Sequence, residues 1–212
     1  MKNIESVHPE NIGWLEIKLE DNEINHLWKC VENKGINMKE KLAGQIDSSY
    51  EIYDIDNYFS DNVLGKCIEE YKLKFSDQFE KIPTSHKHPF YLNSFWVNYQ
   101  KQGEFNPMHF HDAIYSFVIW MKNPTSFEEQ NQNPISLNAN SPHLCEFNFV
   151  YTNILGKICT HRYEMSSDVE GTMLFFPSEL IHNVHPFFNC TEDRISMSGN
   201  ISLKSNEVQE WK

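Results

Sequence analysis

Arginine is nearly missing from this 212-residue chain, which holds only Arg162 and Arg194 beside sixteen lysines. A planar, permanently charged fork is therefore available at two positions, and each calls for a reason. No run of Lys or Arg occurs, and 30 acidic residues against 18 basic ones leave a net charge of -12. A surface of that sign repels phosphate backbones and disfavours nucleic acid as a partner. No apolar stretch approaches the roughly 18–20 residues of a membrane-spanning helix. The opening residues Met1 to Ser6 lack the apolar core of a secretory signal. A cytoplasmic protein without a membrane partner is expected. The five cysteines (Cys30, Cys67, Cys145, Cys159, Cys190) form no C-x-x-C pair, which argues against a disulfide framework and a thiolate zinc cluster.

Apolar residues are not scarce. Hydrophobic side chains make up 40% of the chain and aromatics 14%, enough for a core and incompatible with intrinsic disorder. The length suits one domain, 1–212, with residues 1–88 as an N-terminal strand and helical support and 89–205 as a β core. Trp14 to Leu19 alternates like a strand, and Glu23 to Asn33 has the spacing of a short helix. After Asp56, the stripe Phe59, Val63, Cys67, Tyr71, Phe75 and Phe79 predicts a longer helix that Pro83 ends. From Pro89 onward short alternating runs predict strands near 91–100, 108–121, 145–152, 157–164, 171–176, 180–186 and 193–203. Turns are expected at Gly103 and at Asn153 to Lys157. The Asn-, Pro- and Ser-rich segment 123–144 has the length of a lid or binding loop. Strands of this kind behind a helical layer define an α+β, mainly β chain, an antiparallel sandwich or jelly roll.

Ten histidines are present, unevenly placed. In a strand, residues two apart face the same side, so His109 and His111 of His-Phe-His-Asp point together. With a third ligand from a distant strand they would suit a divalent transition metal. His182, after the Phe175-Phe176-Pro177-Ser178 turn, is the candidate; His185, three residues on, would face the other way. Each histidine could equally be a hydrogen-bonded structural residue. In Arg194 to Ile201, the side chains of Arg194, Ser196, Ser198 and Asn200 share one face and Ile195, Met197 and Ile201 the other. That face is either the solvated side of an edge strand or a pocket wall where Arg194 grips a carboxylate.

These motifs resemble the 2-oxoglutarate and Fe(II)-dependent dioxygenases, in particular a bacterial and phage group related to the prolyl hydroxylases. Asn106-Pro107-Met108-His109-Phe110-His111, Gly171 to Ser178 leading to His182, and Arg194-Ile195-Ser196 carry the resemblance, over roughly residues 90–203. It implies a double-stranded β-helix (jelly roll, cupin-like) with N-terminal flanking helices. It also implies iron held by His109, His111 and His182, with Arg194 and Ser196 on the distal carboxylate of 2-oxoglutarate. Asn98 and Tyr99 lie on the strand where relatives place further polar contacts to the cosubstrate, and alternation lets only one of them face inward. Most of the superfamily carries a carboxylate where this chain has His111. Asp112 follows one residue out of phase, expected beside a ligand or, through a bulge, as an alternative ligand. Trp96 and Trp120 are expected in the core or the pocket wall, and Arg162 on the surface or the substrate side of a hairpin.

The expected activity is hydroxylation of a peptidyl side chain or small metabolite, coupled to decarboxylation of 2-oxoglutarate to succinate. In a phage-encoded protein the compartment would be the host cytoplasm. Two other classes compete: a cupin-like metalloenzyme without 2-oxoglutarate, and a non-catalytic jelly-roll binding module. The oligomeric state is open, a homodimer included.

Overall fold

A computed structural model describes Glu5 and residues 11–75 and 89–204. Among the described residues ten strands form two antiparallel sheets. The six-stranded sheet contains β1 (Leu15–Lys18), β2 (Ser48–Glu51), β3 (Phe90–Gln100), β5 (Tyr115–Lys122), β8 (Thr172–Pro177) and β10 (Arg194–Leu203), in the order β1-β8-β5-β10-β3-β2. The four-stranded sheet contains β4 (Asn106–His109), β6 (Glu146–Thr152), β7 (Ile158–Glu164) and β9 (Ile181–Val184), in the order β4-β9-β6-β7. Helices α1 (Asp21–Glu32) and α2 (Gly65–Phe75), the latter preceded by a π turn over Ser60–Leu64, cover the outer face of the larger sheet. The short α3 (Phe127–Gln130) lies in the long segment after β5. Among the described residues no helix is long and apolar enough to cross a membrane.

Strand alternation sorts the side chains into two cores. Phe117 and Ile119 of β5, Met173 and Phe175 of β8 and Met197 of β10 face the helices, against Leu27, Phe59, Val63 and Tyr71. Val118 and Trp120, with Leu174 and Phe176, face the smaller sheet and meet Phe147 and Phe149 of β6. Covered on both faces, the centre of β5 is apolar almost throughout, as a central strand requires. The arrangement is a double-stranded β-helix.

The expected elements largely stand, with three differences. The strand expected over 108–121 is two strands in different sheets, because the chain leaves β4 at His109 and enters β5 at Tyr115. Strand β2 was not foreseen: Ser-Ser-Tyr-Glu is too short and polar to show a period, and it forms only by pairing with β3. The helix after Asp56 begins with a π turn, and its expected end at Phe79 and Pro83 lies outside the described residues.

Gly199 explains one position in β10 that no pattern revealed. A Cβ there would stand 2.6 Å from Cζ of Phe117 and 2.8 Å from the backbone oxygen of Ser94. Neither a packed ring nor a strand backbone can yield cheaply. Gly199→Ala should therefore lower stability by roughly 1–3 kcal/mol, the usual cost of overpacking. An unchanged midpoint in urea unfolding would refute this.

Candidate active site

His109 and His182 are direct cross-strand partners between β4 and β9, which brings their rings to 4.2 Å between centroids. His111 completes the group at 5.0 Å from His109 and 5.1 Å from His182. One nitrogen from each of the three lies within 4.8 Å of the others. The Nδ1 groups of His109 and His182 donate to the carbonyl oxygens of Pro107 and Leu180, each at 2.8 Å. These bonds fix the tautomer and leave Nε2 as the lone-pair donor, as outer partners of metal-binding histidines do. Three neutral imidazoles fit a divalent first-row metal.

The Phe-Pro-Ser turn mounts the site. The carbonyl of Ser178 accepts from the backbone N–H of His111 at 2.9 Å, and the Ser178 N–H donates to the Ile114 carbonyl at 3.1 Å. The Ser178 hydroxyl meets that of Ser116 at 2.8 Å, Ser116 donates to Asn200 Oδ1, and Asn200 Nδ2 donates to Ser94. The segment carrying His111 is thus held to three strands of the larger sheet rather than left as a free loop.

A cavity of about 50 Å³ between the sheets is lined by the three histidines and by the polar face of β10. Arg194 is 4% exposed and enters that wall. Gln100 Oε1 accepts from its Nε at 3.1 Å and its Nη2 at 2.7 Å, and the His185 carbonyl accepts from Nη2 at 2.9 Å. Nη1 has only the Cys145 sulfur, at 3.9 Å. No carboxylate pairs with this guanidinium among the described residues. Asn98 also faces the cavity, accepting from Ser49 at 2.7 Å and donating to Ser196 at 3.5 Å.

The other expected residues lie elsewhere. Tyr99 turns to the opposite face and packs 6.2 Å from Tyr50, as alternation next to Asn98 demands. Asp112 is exposed, in the bend between β4 and β5, and outside the imidazole cluster. It is therefore not placed as a ligand or as a partner of one. His185 joins His143 and Glu146 in a separate group. Arg162 is exposed on the β6–β7 hairpin, as expected, and ion-pairs there with buried Glu146. Trp96 and Trp120 are pocket wall. Segment 123–144 is partly ordered by α3, where Gln130 is tied to the backbone of Phe188 through both ends of its amide. Gln100 was missed, yet it stands two residues from Asn98 on the same strand face, so period-two reasoning reaches it; Ser198, grouped with Arg194 and Ser196 by alternation, lines the cavity with them. Asn106 was missed in kind: its Oδ1 is buried at the cavity without a hydrogen-bond partner.

Burial among Phe147, Phe149 and Phe176 pushes the His182 imidazole down to about 3, helped by the neighbouring His109. Burial likewise pushes His111 down to about 4 and lowers His109. In the unfolded chain these groups titrate near 6.5. Folded pKa values below the unfolded ones mean that the unfolded state binds more protons, so stability is complete above pH 6.5 and is lost as pH falls toward 4. At about 1.4 kcal/mol per unit, metal-free protein should lose several kcal/mol between pH 7.5 and 5. Equal urea midpoints at the two pH values would contradict this.

Two sheets closed over an inner face that presents imidazoles and an unpaired arginine define a jelly-roll protein with the groups for metal and anion binding. Residues 94–200 match the family described as "Putative 2OG-Fe(II) oxygenase", and the chain belongs to that family. It is a 2-oxoglutarate-dependent oxygenase, an enzyme with Fe(II) as cofactor and 2-oxoglutarate as cosubstrate. Among solved structures, an oxidoreductase of the 2OG-Fe(II) oxygenase family from Burkholderia pseudomallei shares the fold at 12% identity, over 90% of this chain and 84% of that chain, with a TM-score of 0.51. A Pseudomonas putida prolyl-4-hydroxylase aligns at 14% identity over 91% and 94% of the two chains, TM-score 0.48. A viral collagen prolyl hydroxylase from Paramecium bursaria Chlorella virus-1 aligns at 15% identity over 89% and 94%, TM-score 0.49. A search of curated proteins found no significant match.

Proposed function

We propose that His109, His111 and His182 hold the iron and that Arg194, with Ser196 and Asn98, binds the far carboxylate of 2-oxoglutarate. The substrate we assign is a peptidyl side chain or a small metabolite, hydroxylated in the same pocket. One observation carries this reading. A buried guanidinium without a carboxylate partner shares a cavity with three imidazoles that lie within ligand distance of one another. Burying an uncompensated charge costs several kcal/mol, and an incoming carboxylate removes that cost.

Bound iron and cosubstrate supply the oxidising chemistry, in which dioxygen is consumed as 2-oxoglutarate becomes succinate and carbon dioxide. The chain's own residues supply the rest. Carbonyls of Pro107 and Leu180 orient two of the imidazoles, the aromatic wall around His182 excludes water, and Gln100 holds the arginine fork in place. Because His111 replaces a carboxylate, the ligand set is neutral and leaves the bound ion's full charge facing the cosubstrate. The cavity wall outside the sheets includes Leu42, Ala43, Gly44 and Ile46.

The test is anaerobic titration of Fe(II)-loaded protein with 2-oxoglutarate, following the visible charge-transfer band of the chelate. A saturable band is expected. Its absence at saturating iron and millimolar cosubstrate would overturn the site assignment. Succinate release against a panel of amino acids and peptides then selects between the two substrate classes.

A further inference from the structure

We propose that His143, Glu146 and His185 form a second metal site, separate from the three-imidazole cluster, that takes one zinc-type divalent cation. One ligand atom from each residue lies within 4.8 Å of the others. His143 Nδ1 is 3.1 Å from Glu146 Oε2. Two ligands about 2.0–2.1 Å from one tetrahedral ion stand about 3.3 Å apart, so this pair needs little rearrangement. The rings of His143 and His185 stack 5.2 Å apart at 20°, which brings the second imidazole beside the first. The three residues come from separate segments: the end of 123–144, the start of β6, and the residue following β9.

The polar groups around the site support the assignment, with the Glu146 carboxylate between the Arg162 guanidinium and His143. The Glu146 side chain is fully buried, and Arg162 engages its Oε1, which leaves Oε2 on the side of His143. A carboxylate can hold a guanidinium on one oxygen and a metal on the other. Asn148 stands 3.4 Å from Oε2 through Nδ2, and its own Oδ1 is buried without a partner. A metal-bound water would provide that oxygen with a donor. Burial also keeps both imidazoles neutral at neutral pH, His185 down to about 4; His143 now donates from Nδ1 to Glu146 Oε2, so binding an ion there requires only that Nδ1 give up its proton. The His143 side chain is 44% exposed, which gives the ion an entry and leaves a coordination position for water. An ion here would tie segment 123–144 to His185, whose carbonyl accepts from Arg194. The site would thus brace the arginine from behind.

The test uses full-length protein carrying His109→Ala and His111→Ala, so that its outcome is independent of the iron assignment. Equilibrium dialysis against zinc should find one equivalent bound, and zinc should raise the melting temperature. Adding His143→Ala should remove both effects. That side chain is half exposed, so the fold should persist, and His185→Gln provides a second variant expected to behave alike. Zinc binding that is absent from the starting variant, or that survives both substitutions, would overturn the proposal.

Discussion

His182→Ala should leave no iron–2-oxoglutarate band at any cosubstrate concentration, whereas His185→Ala should keep it. His182 stands opposite His109 in the β4–β9 pair, with its Nδ1 committed to Leu180 and its other nitrogen turned to the cluster. Removing it takes one of the three proposed ligands and opens a hole among Phe147, Phe149 and Phe176. Loss of an outer partner alone costs metal sites about 10–100-fold, and loss of a ligand should exceed that. His182→Gln, which fills the space without an imidazole, separates ligand loss from packing loss. It should also lack the band while melting closer to wild type. A band retained in His182→Ala and lost in His185→Ala would move the distal ligand to His185.

Arg194→Ala should form the band, but only at far higher cosubstrate concentration. The arginine is no ligand, so iron binding should survive. The cost falls on 2-oxoglutarate affinity, on the order of 2–5 kcal/mol for truncating one member of a buried charge pair, or roughly 30- to 4,000-fold at 1.4 kcal/mol per decade. Arg194→Lys should recover only part, because an ammonium cannot form the two-pronged contact with a carboxylate. It also cannot keep the Gln100 and His185 contacts that now fix the fork. Titration midpoints for wild type and both variants check this. A midpoint unchanged in Arg194→Ala would move the clamp to another cation, and Arg162 would be a poor candidate because Glu146 already engages it.

Much of this site was legible in the chain because strand geometry is nearly local. Period-two alternation places Arg194 with Ser196, Ser198 and Asn200 on a common face; it also singles out His109 with His111, although His111 lies just past the end of β4 and is held there by Ser178. The same rule separates Asn98 from Tyr99 without saying which faces inward. Scarcity marks the arginine as well, because the chain has only two guanidinium groups with which to grip a carboxylate. What was misread is non-local. Asp112 was considered for a metal role on sequence proximity to His111, but the backbone after His109 leaves β4 and turns it to solvent. The break that splits 108–121 between two sheets has no composition signal, because either half alone reads as strand.

The sequence by itself determined the class of fold, the apolar and polar faces of each strand, and the residue types available for metal and carboxylate chemistry. These follow from side-chain alternation and from the chemistry of imidazole and guanidinium, which need no partner strand to be read. Only the tertiary structure decided which faces meet. Pairing of β4 with β9 put His109 against His182, and pairing of β10 with β3 put Ser196 beside Asn98 and Arg194 beside Gln100. The enclosure of the two sheets then removed water from the arginine and the imidazoles. Register and burial are sums over contacts far apart in the chain, so no local pattern encodes them.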